Sequence, residues 1–404
     1  MQGRNPNLGS AITNRAPYCN CGMPLGCIPG LAYLKAKNLM TMNPQCSGGV
    51  PHRMYRGCRS SDSGSGPASD SGPAYGFVSV SVLQSIATEG PANGPANTYT
   101  LKASTTIALG ITVTIPSGAT LIIPHGMTLT INGTVINNGT LTINGTLINN
   151  NTIINNGTID NNSGGKITNI GTINNNGGGT INANSGSIFT NSGTVANNGT
   201  FVYNGGNINN TGSIGPNPIT IALSSIATLD QGGTWGLNAN YTIQAGYILT
   251  ISASQSFGIP FGYSTLTNYG TITNNGMFGV QNTLNNYGTM NNDGGTISTN
   301  GTSIVNNSGG TLNNKNSGII NIIFSSALAN YGGTINNNAG CTINVNSNGQ
   351  FNNESPLVNN GTINIINAGS VFNNTITIIN NGIIKNNGGA VNNSGGPISP
   401  NPVT

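Results

Sequence analysis

The chain is 404 residues long, and only 4% of them are charged, against roughly 25% in an ordinary globular protein. Asparagine outnumbers even the 61 glycines, and the net charge is +4. Length alone suggests two or three globular domains. The composition excludes that reading, and an aliphatic residue held in phase for hundreds of positions excludes a disordered polar tract.

Residues 1–60 read as a separate head. Arg4, Arg15, Lys35, Lys37, Arg53, Arg56 and Arg59 fall here or just before the linker, with no acid among them, so the head is basic and the rest is nearly neutral. The first twenty residues contain no apolar h-region, so no classical signal peptide is expected. No run approaches the ~20 apolar residues of a transmembrane helix. The head holds Cys19, Cys21, Cys27, Cys46 and Cys58, with His52 among them. Zn²⁺ takes four sulfur or nitrogen ligands, but this spacing matches no common zinc ribbon. Five cysteines leave one over, which suits an intermolecular cross-link. Disulfides, zinc and free thiols all stay open. The basic charge could meet phosphates, but there are only Tyr18, Tyr33 and Tyr55 for stacking and no nucleic-acid motif, and docking on an acidic protein such as a capsid, or on an anionic lattice, is as economical. No cofactor is expected.

Residues 61–76 form a Gly/Ser/Pro-rich linker. The alternation Phe77-Val-Ser-Val-Ser-Val-Leu83 predicts a strand, and residues 90–97 (GPANGPAN) predict a turn. From about Thr98 a six-residue beat takes over: GTVINN at 133–138, GTLTIN at 139–144, GTLINN at 145–150. Gly, Asn and Thr are poor helix formers. One aliphatic per six residues with glycine at the corner describes short parallel strands wound into a β-solenoid. The predicted interior includes Val135, Leu141, Leu147, Ile153, Ile159, Ile173 and Ile181, then Ile272, Phe278, Leu284, Ile297, Ile335 and Ile343. Ile188, Ile208, Val371, Ile383 and Val391 continue the same phase. Asn268-Tyr-Gly-Thr271 returns as Asn286-Tyr-Gly-Thr289, three beats later, which favours triangular coils of about 18–21 residues. The near-repeat of residues 128–139 at 140–151 would instead suit a two-sided coil. Asparagines at the corners are expected to form amide ladders from coil to coil.

Ser85-Ile-Ala-Thr88 recurs as Ser225-Ile-Ala-Thr228, and Tyr99-Thr-Leu101 as Tyr241-Thr-Ile243. Two tandem blocks follow, 77–219 and 220–404, each opening with an apolar stretch that reads as a cap or a wider coil. The expected class is therefore all-β: a single-stranded parallel β-helix behind a small irregular Cys-rich head.

The shaft offers little for catalysis. Asp160, Asp230, Asp293 and Glu354 are scattered, with Lys102, Lys166, Lys315, Lys385 and His125, and an acid–base pair could meet only across stacked coils. No enzymatic activity is expected. Cys341 sits beside an inward position and reads as packing. Tyr269, Tyr287 and Tyr331 are candidates for an exposed contact strip. Sequons such as Asn132, Asn138, Asn144 and Asn156 arise from the repeat itself and say little about glycans.

The opening Thr114-Ile-Pro-Ser-Gly-Ala-Thr-Leu121 and the NNGT beats that follow resemble Asn-rich β-solenoid proteins of large DNA viruses and surface adhesins. The resemblance covers about three quarters of the chain and implies a structural or surface role. The first expectation is a virion surface fibre or self-assembling extracellular filament, anchored through the head. The second is a receptor- or glycan-binding adhesin. A third is an ice-binding protein, although the threonines mark several faces and not one plane.

Overall fold

The computed structural model describes residues 80–90, 97–262 and 264–404, all within a compact unit spanning Ala74–Thr404. The 1–60 head, with its cysteine and zinc candidates, lies outside the described residues. The described residues form a parallel β-solenoid of about fourteen coils, three strands to a coil.

Each beat makes one strand and one corner. In Thr140–Ile143 the burial alternates half-exposed, buried, half-exposed, buried. The aliphatic at the second position and the residue at the fourth therefore both point inward, as a period-two strand requires. Thirteen of the predicted interior positions, from Val135 to Ile343, are fully buried. The next beat begins at a glycine because the corners touch. An added Cβ on Gly157 would collide with the carbonyl oxygen of Gly139 one coil back. Thr158 N then donates to that same carbonyl at 2.8 Å, locking coil to coil.

Equivalent asparagines are 18 residues apart at Asn137 and Asn155 but 24 apart at Asn306 and Asn330, so the coils outgrow the expected 18–21. The extra residues sit at corners, and they shift the phase of the strand that follows. Ile167 is in register with Phe189, not Ile188; Phe351 with Phe372, not Val371; Ile363 with Ile384, not Ile383. A slip of one residue exchanges the two faces, so Ile188, Val371 and Ile383 leave the core. Ile208 and Val391 are half-buried because they lie in the last coil of each block.

The fourth position carries the second departure. In opening coils it is isoleucine (Ile115, Ile123, Ile131, Ile143); further along most columns it becomes a fully buried asparagine, whereas on the nine-stranded face it stays Ile259, Val280, Thr299, Ile322, Val345 and Ile365. These amides are strand residues, not corner residues. Asn137 Nδ2 donates to Asn155 Oδ1 at 2.7 Å and to Thr158 O at 2.8 Å, and Asn155 repeats the pattern on Asn175 and Thr180 O. One N–H thus builds the axial ladder and the other seals the corner. The longest column runs Asn268, Asn286, Asn306, Asn330, Asn353, Asn374, Asn393. A second, outer set does join corner residues, as in Asn138–Asn156–Asn176. A core with one aliphatic in six is thin; the inner amides fill the remaining volume while satisfying their own polarity.

Every inner column that begins after an isoleucine leaves one atom unpaired. Asn137, Asn149, Asn161, Asn268 and Asn274 have Oδ1 buried without a donor, and each faces Ile115, Ile131, Ile143, Ile243 or Ile251 in the preceding coil. At the far end the column is closed. Asn217 N donates to Asn197 O, its own carbonyl accepts Asn197 Nδ2, and its side chain donates to Gly199 O. Asn401 does the same for Asn380 and Gly382.

The segment predicted as a strand at 77–83 is instead helical over Val80–Ile86. Leu83 is buried, with Val82 and Ile86 packed around it on the first coil's interior. A helix groups these residues on one side, which an alternating strand could not do at an open end. Lys102 Nζ donates to Gln84 O at 3.0 Å. The segment then turns back as Ala87–Glu89, antiparallel to Thr98–Leu101. The second block opens alike: a 3-10 turn at Leu223–Ser225, then Ala227–Leu229 antiparallel to Thr234–Leu237. The register makes Tyr99 the counterpart of Trp235, not of Tyr241.

One sheet of sixteen strands runs the whole length. The other two faces break at the junction, where six-stranded sheets end at Asn207–Asn210 and Ser213–Pro216 and nine- and eight-stranded sheets start. Thr112–Ile115 belongs to a short first-block sheet, but its counterpart Tyr247–Ile251 lies in the continuous one. The second block is therefore turned by one face about the axis relative to the first.

Tyr203, Tyr241 and Tyr247 plug this junction, Tyr203 and Tyr247 edge to face at 6.2 Å. Burial, reinforced by Tyr203, pushes the Tyr247 phenol up to about 12, and Tyr241 is raised by the same causes. A raised folded value means the stabilisation is complete below the unfolded value of about 10 and is lost as pH rises toward the folded one. Denaturant midpoints measured across that window should fall, and the fall should shrink in Tyr247→Phe.

Candidate functional site: a bare trough and an aromatic column

Outward positions normally carry side chains. On one face of the second block they do not: Gly236, Gly258 and Gly279 stand in register on three successive coils. Their first-block counterparts are Thr100, Ile122 and Thr142. The solenoid does not impose glycine here. A Cβ on Gly258 would come no closer than 3.6 Å to Gly279 O, and one on Gly279 no closer than 4.0 Å to Phe257 O. The result is a shallow trough of about 360 Å³ edged by Asp230, Thr234, Ser256, Pro260 and Gln281. Asp230 Oδ1 accepts from the backbone N of Gly232 at 2.9 Å and of Thr234 at 2.8 Å, which fixes the carboxylate at one end. Phe261, beside Pro260, is 63% exposed. Carboxylate, hydroxyl and amide around a flat floor suit reversible recognition of a hydroxylated surface.

The predicted tyrosine strip lies at a corner of the neighbouring face. Tyr269 and Tyr287 are exposed and stacked, ring centroids 4.9 Å apart and 13° from parallel. Tyr331 is in the same column two coils on, with Asn307 between. The structure thus unites two of the three and sets the third apart.

The scattered charges meet once among the described residues: Lys315 Nζ lies 3.0 Å from Asp293 Oδ2 across adjacent coils. A hydrogen bond from Asn316, then Lys315, holds the Asp293 carboxyl below its usual range. Among the described residues no three His, Cys, Asp or Glu side chains gather. Cys341 is buried with a free thiol. Outward threonines align as Thr98, Thr120, Thr140, Thr158, Thr180 and Thr200 on one face. A second column runs from Thr112 through Thr194 on another.

Composition does not reveal the trough, because glycine recurs throughout the chain. The signal is there: Trp235-Gly-Leu237, Phe257-Gly-Ile259 and Phe278-Gly-Val280 each place glycine between two inward residues.

No family model matches the chain, and no curated protein matches it. Among solved structures, the crystal structure of a TibC-catalysed, hyper-glycosylated TibA fragment is similar at 18% identity, covering 73% of this chain and 97% of that one, with a TM-score of 0.28.

Proposed function

We propose that the protein is a structural surface rod that forms or decorates a virion fibre or an extracellular filament, with the basic Cys-rich head as its anchor. The observation behind this reading is the unbroken sixteen-stranded sheet that joins both blocks into one solenoid. At about 4.8 Å per coil, fourteen coils extend on the order of 65–70 Å. Such a body transmits position and presents repeated surfaces. Electron microscopy of the purified full chain should show rods of that length or of its multiples, and an antibody to the shaft should label fibres or projections on the native particle or cell. Dispersed globules, or labelling confined to the cell interior, would overturn the reading.

An adhesin is the second reading, favoured by the trough and the tyrosine stack. Aromatic faces and fixed polar groups are the usual means of seating small ligands. Glycan-array binding by the full chain should fall at least tenfold in Tyr269→Ala/Tyr287→Ala or in Gly258→Trp. An array without hits removes this reading and leaves the first.

A further inference from the structure

The two blocks end alike. Residues 213–220 read SIGPNPIT and residues 397–404 read PISPNPVT. In each, the asparagine between the prolines closes an inner amide column as described above. The next residues also match. Ile219 is in register with Phe201, and Val403 bridges Ile384.

What lies beyond differs. Ile219–Ile221 pairs on its outer side with the opening of the second block at Tyr247 and beyond, and Ile219 N donates to Gly246 O at 3.0 Å. That opening is a tight turn, residues 244–247, with Gly246 at φ +83° and Tyr247 N donating back to Gln244 O. Tyr247 packs on the first block's core beside Ile208 and Ile214. Among the described residues, no strand pairs with the outer side of Val403, and Val391, Ile398 and Val403 are only partly buried.

The first block has the same opening turn at residues 108–111. Gly110 sits at φ +80°, and Ile111 N donates to Ala108 O at 3.1 Å, as Tyr247 does to Gln244. Here, however, the turn covers nothing in the described residues. Leu109, the counterpart of Ala245, is 79% exposed, and Ile111, the counterpart of Tyr247, is 39% exposed. Among the described residues there is thus an unpartnered apolar opening turn at one end and an unpartnered closing edge at the other. Between its own blocks it shows the contact that such a pair makes.

We propose that the opening turn at Leu109 and Ile111 of one copy docks on the closing edge at Val391, Ile398 and Val403 of a second copy, repeating the internal junction between chains. The inference rests on the surface-rod reading and specifies how rods join. Gly110 O of the first copy takes, over Val403 of the second, the place that Gly246 O holds over Ile219, and each added copy continues the parallel ladder. The contact is heterologous and stacks coil on coil along the axis, so it propagates as an open filament.

The test uses full-length chains under reducing conditions, so that cysteines of the head cannot join them. Sedimentation and electron microscopy of the wild type should show end-to-end multiples of the 41.0 kDa chain. Leu109→Asp/Ile111→Asp, at exposed positions, should give single rods with unchanged far-UV dichroism. Val391→Asp/Val403→Asp should do the same. An equimolar mixture of the two variants, each retaining one good end, should form pairs and nothing longer. Single wild-type rods would overturn end-to-end docking yet leave the surface-rod reading standing, whereas wild-type globules would remove both. Association untouched by either variant would place the contact elsewhere and overturn the proposal. If the closing-edge variant does not fold, the opening-turn variant decides alone, and added to wild-type filaments it should shorten them by occupying one end.

Discussion

Replacing Asn292 by leucine should destabilise the solenoid by about 3–5 kcal/mol, although the two side chains share the same number and branching of heavy atoms. Asn292 Oδ1 accepts from Asn274 at 2.8 Å, and its Nδ2 donates to Asn314 Oδ1 at 2.8 Å and to Ile319 O at 3.0 Å. Leucine would strand a donor on one side and two acceptors on the other, all without access to water. The first member of the same column makes the control. Asn274 already has an unpaired Oδ1 and faces Ile251. Asn274→Ile moves the column's start one coil along, so that Asn292 inherits the unpaired oxygen and only Thr296 O loses a donor. That change should cost about 1 kcal/mol. Denaturant midpoints of the two variants, compared with wild type, measure the difference. Equal costs would mean that the columns are held by packing and not by their hydrogen bonds.

The second large effect separates glycines that the fold needs from those it does not. Gly157→Ala forces a methyl group into the carbonyl of Gly139, and backbone on both sides prevents relief. A loss of about 3 kcal/mol or more is expected, with protease sensitivity appearing at that corner. Gly258→Ala and Gly279→Ala add a methyl to an open face, where the nearest atoms are at ordinary contact distance. They should be neutral or stabilising by about 0.5–1 kcal/mol through the unfolded chain. If those alanines reduce ligand binding while thermal midpoints hold or rise, the bare trough serves recognition.

The repeat made much of this architecture legible. Three faces, the parallel pairing of short strands and the aliphatic interior all follow from the spacing of Thr, Ile and Asn–Gly. Reading failed where length and phase part company. Corner insertions before Phe189, Phe372 and Ile384 are local, and nothing in the beat tells which side of the corner absorbs the extra residue. The inward asparagines were misplaced at the corners because an amide reads as polar, whereas a stacked column supplies the partners that make its burial tolerable. Residues 80–86 alternate like a strand yet coil into a helix, since an open solenoid end needs apolar cover and local propensity yields to it. The trough was hidden for a different reason: glycine is so common here that three of them in one column do not stand out until register is known.

The turn of one face between the blocks has a bearing on any partner. Because duplicated positions point in directions about a third of a revolution apart, a flat surface that meets one member of a pair is turned away from the other. Duplication therefore does not double the grip on a single plane. It distributes counterpart faces around the axis, so that a partner lying flat along the trough meets a different face of the first block. A chain of copies joined end to end would carry that distribution along its whole length as a shallow spiral of sites.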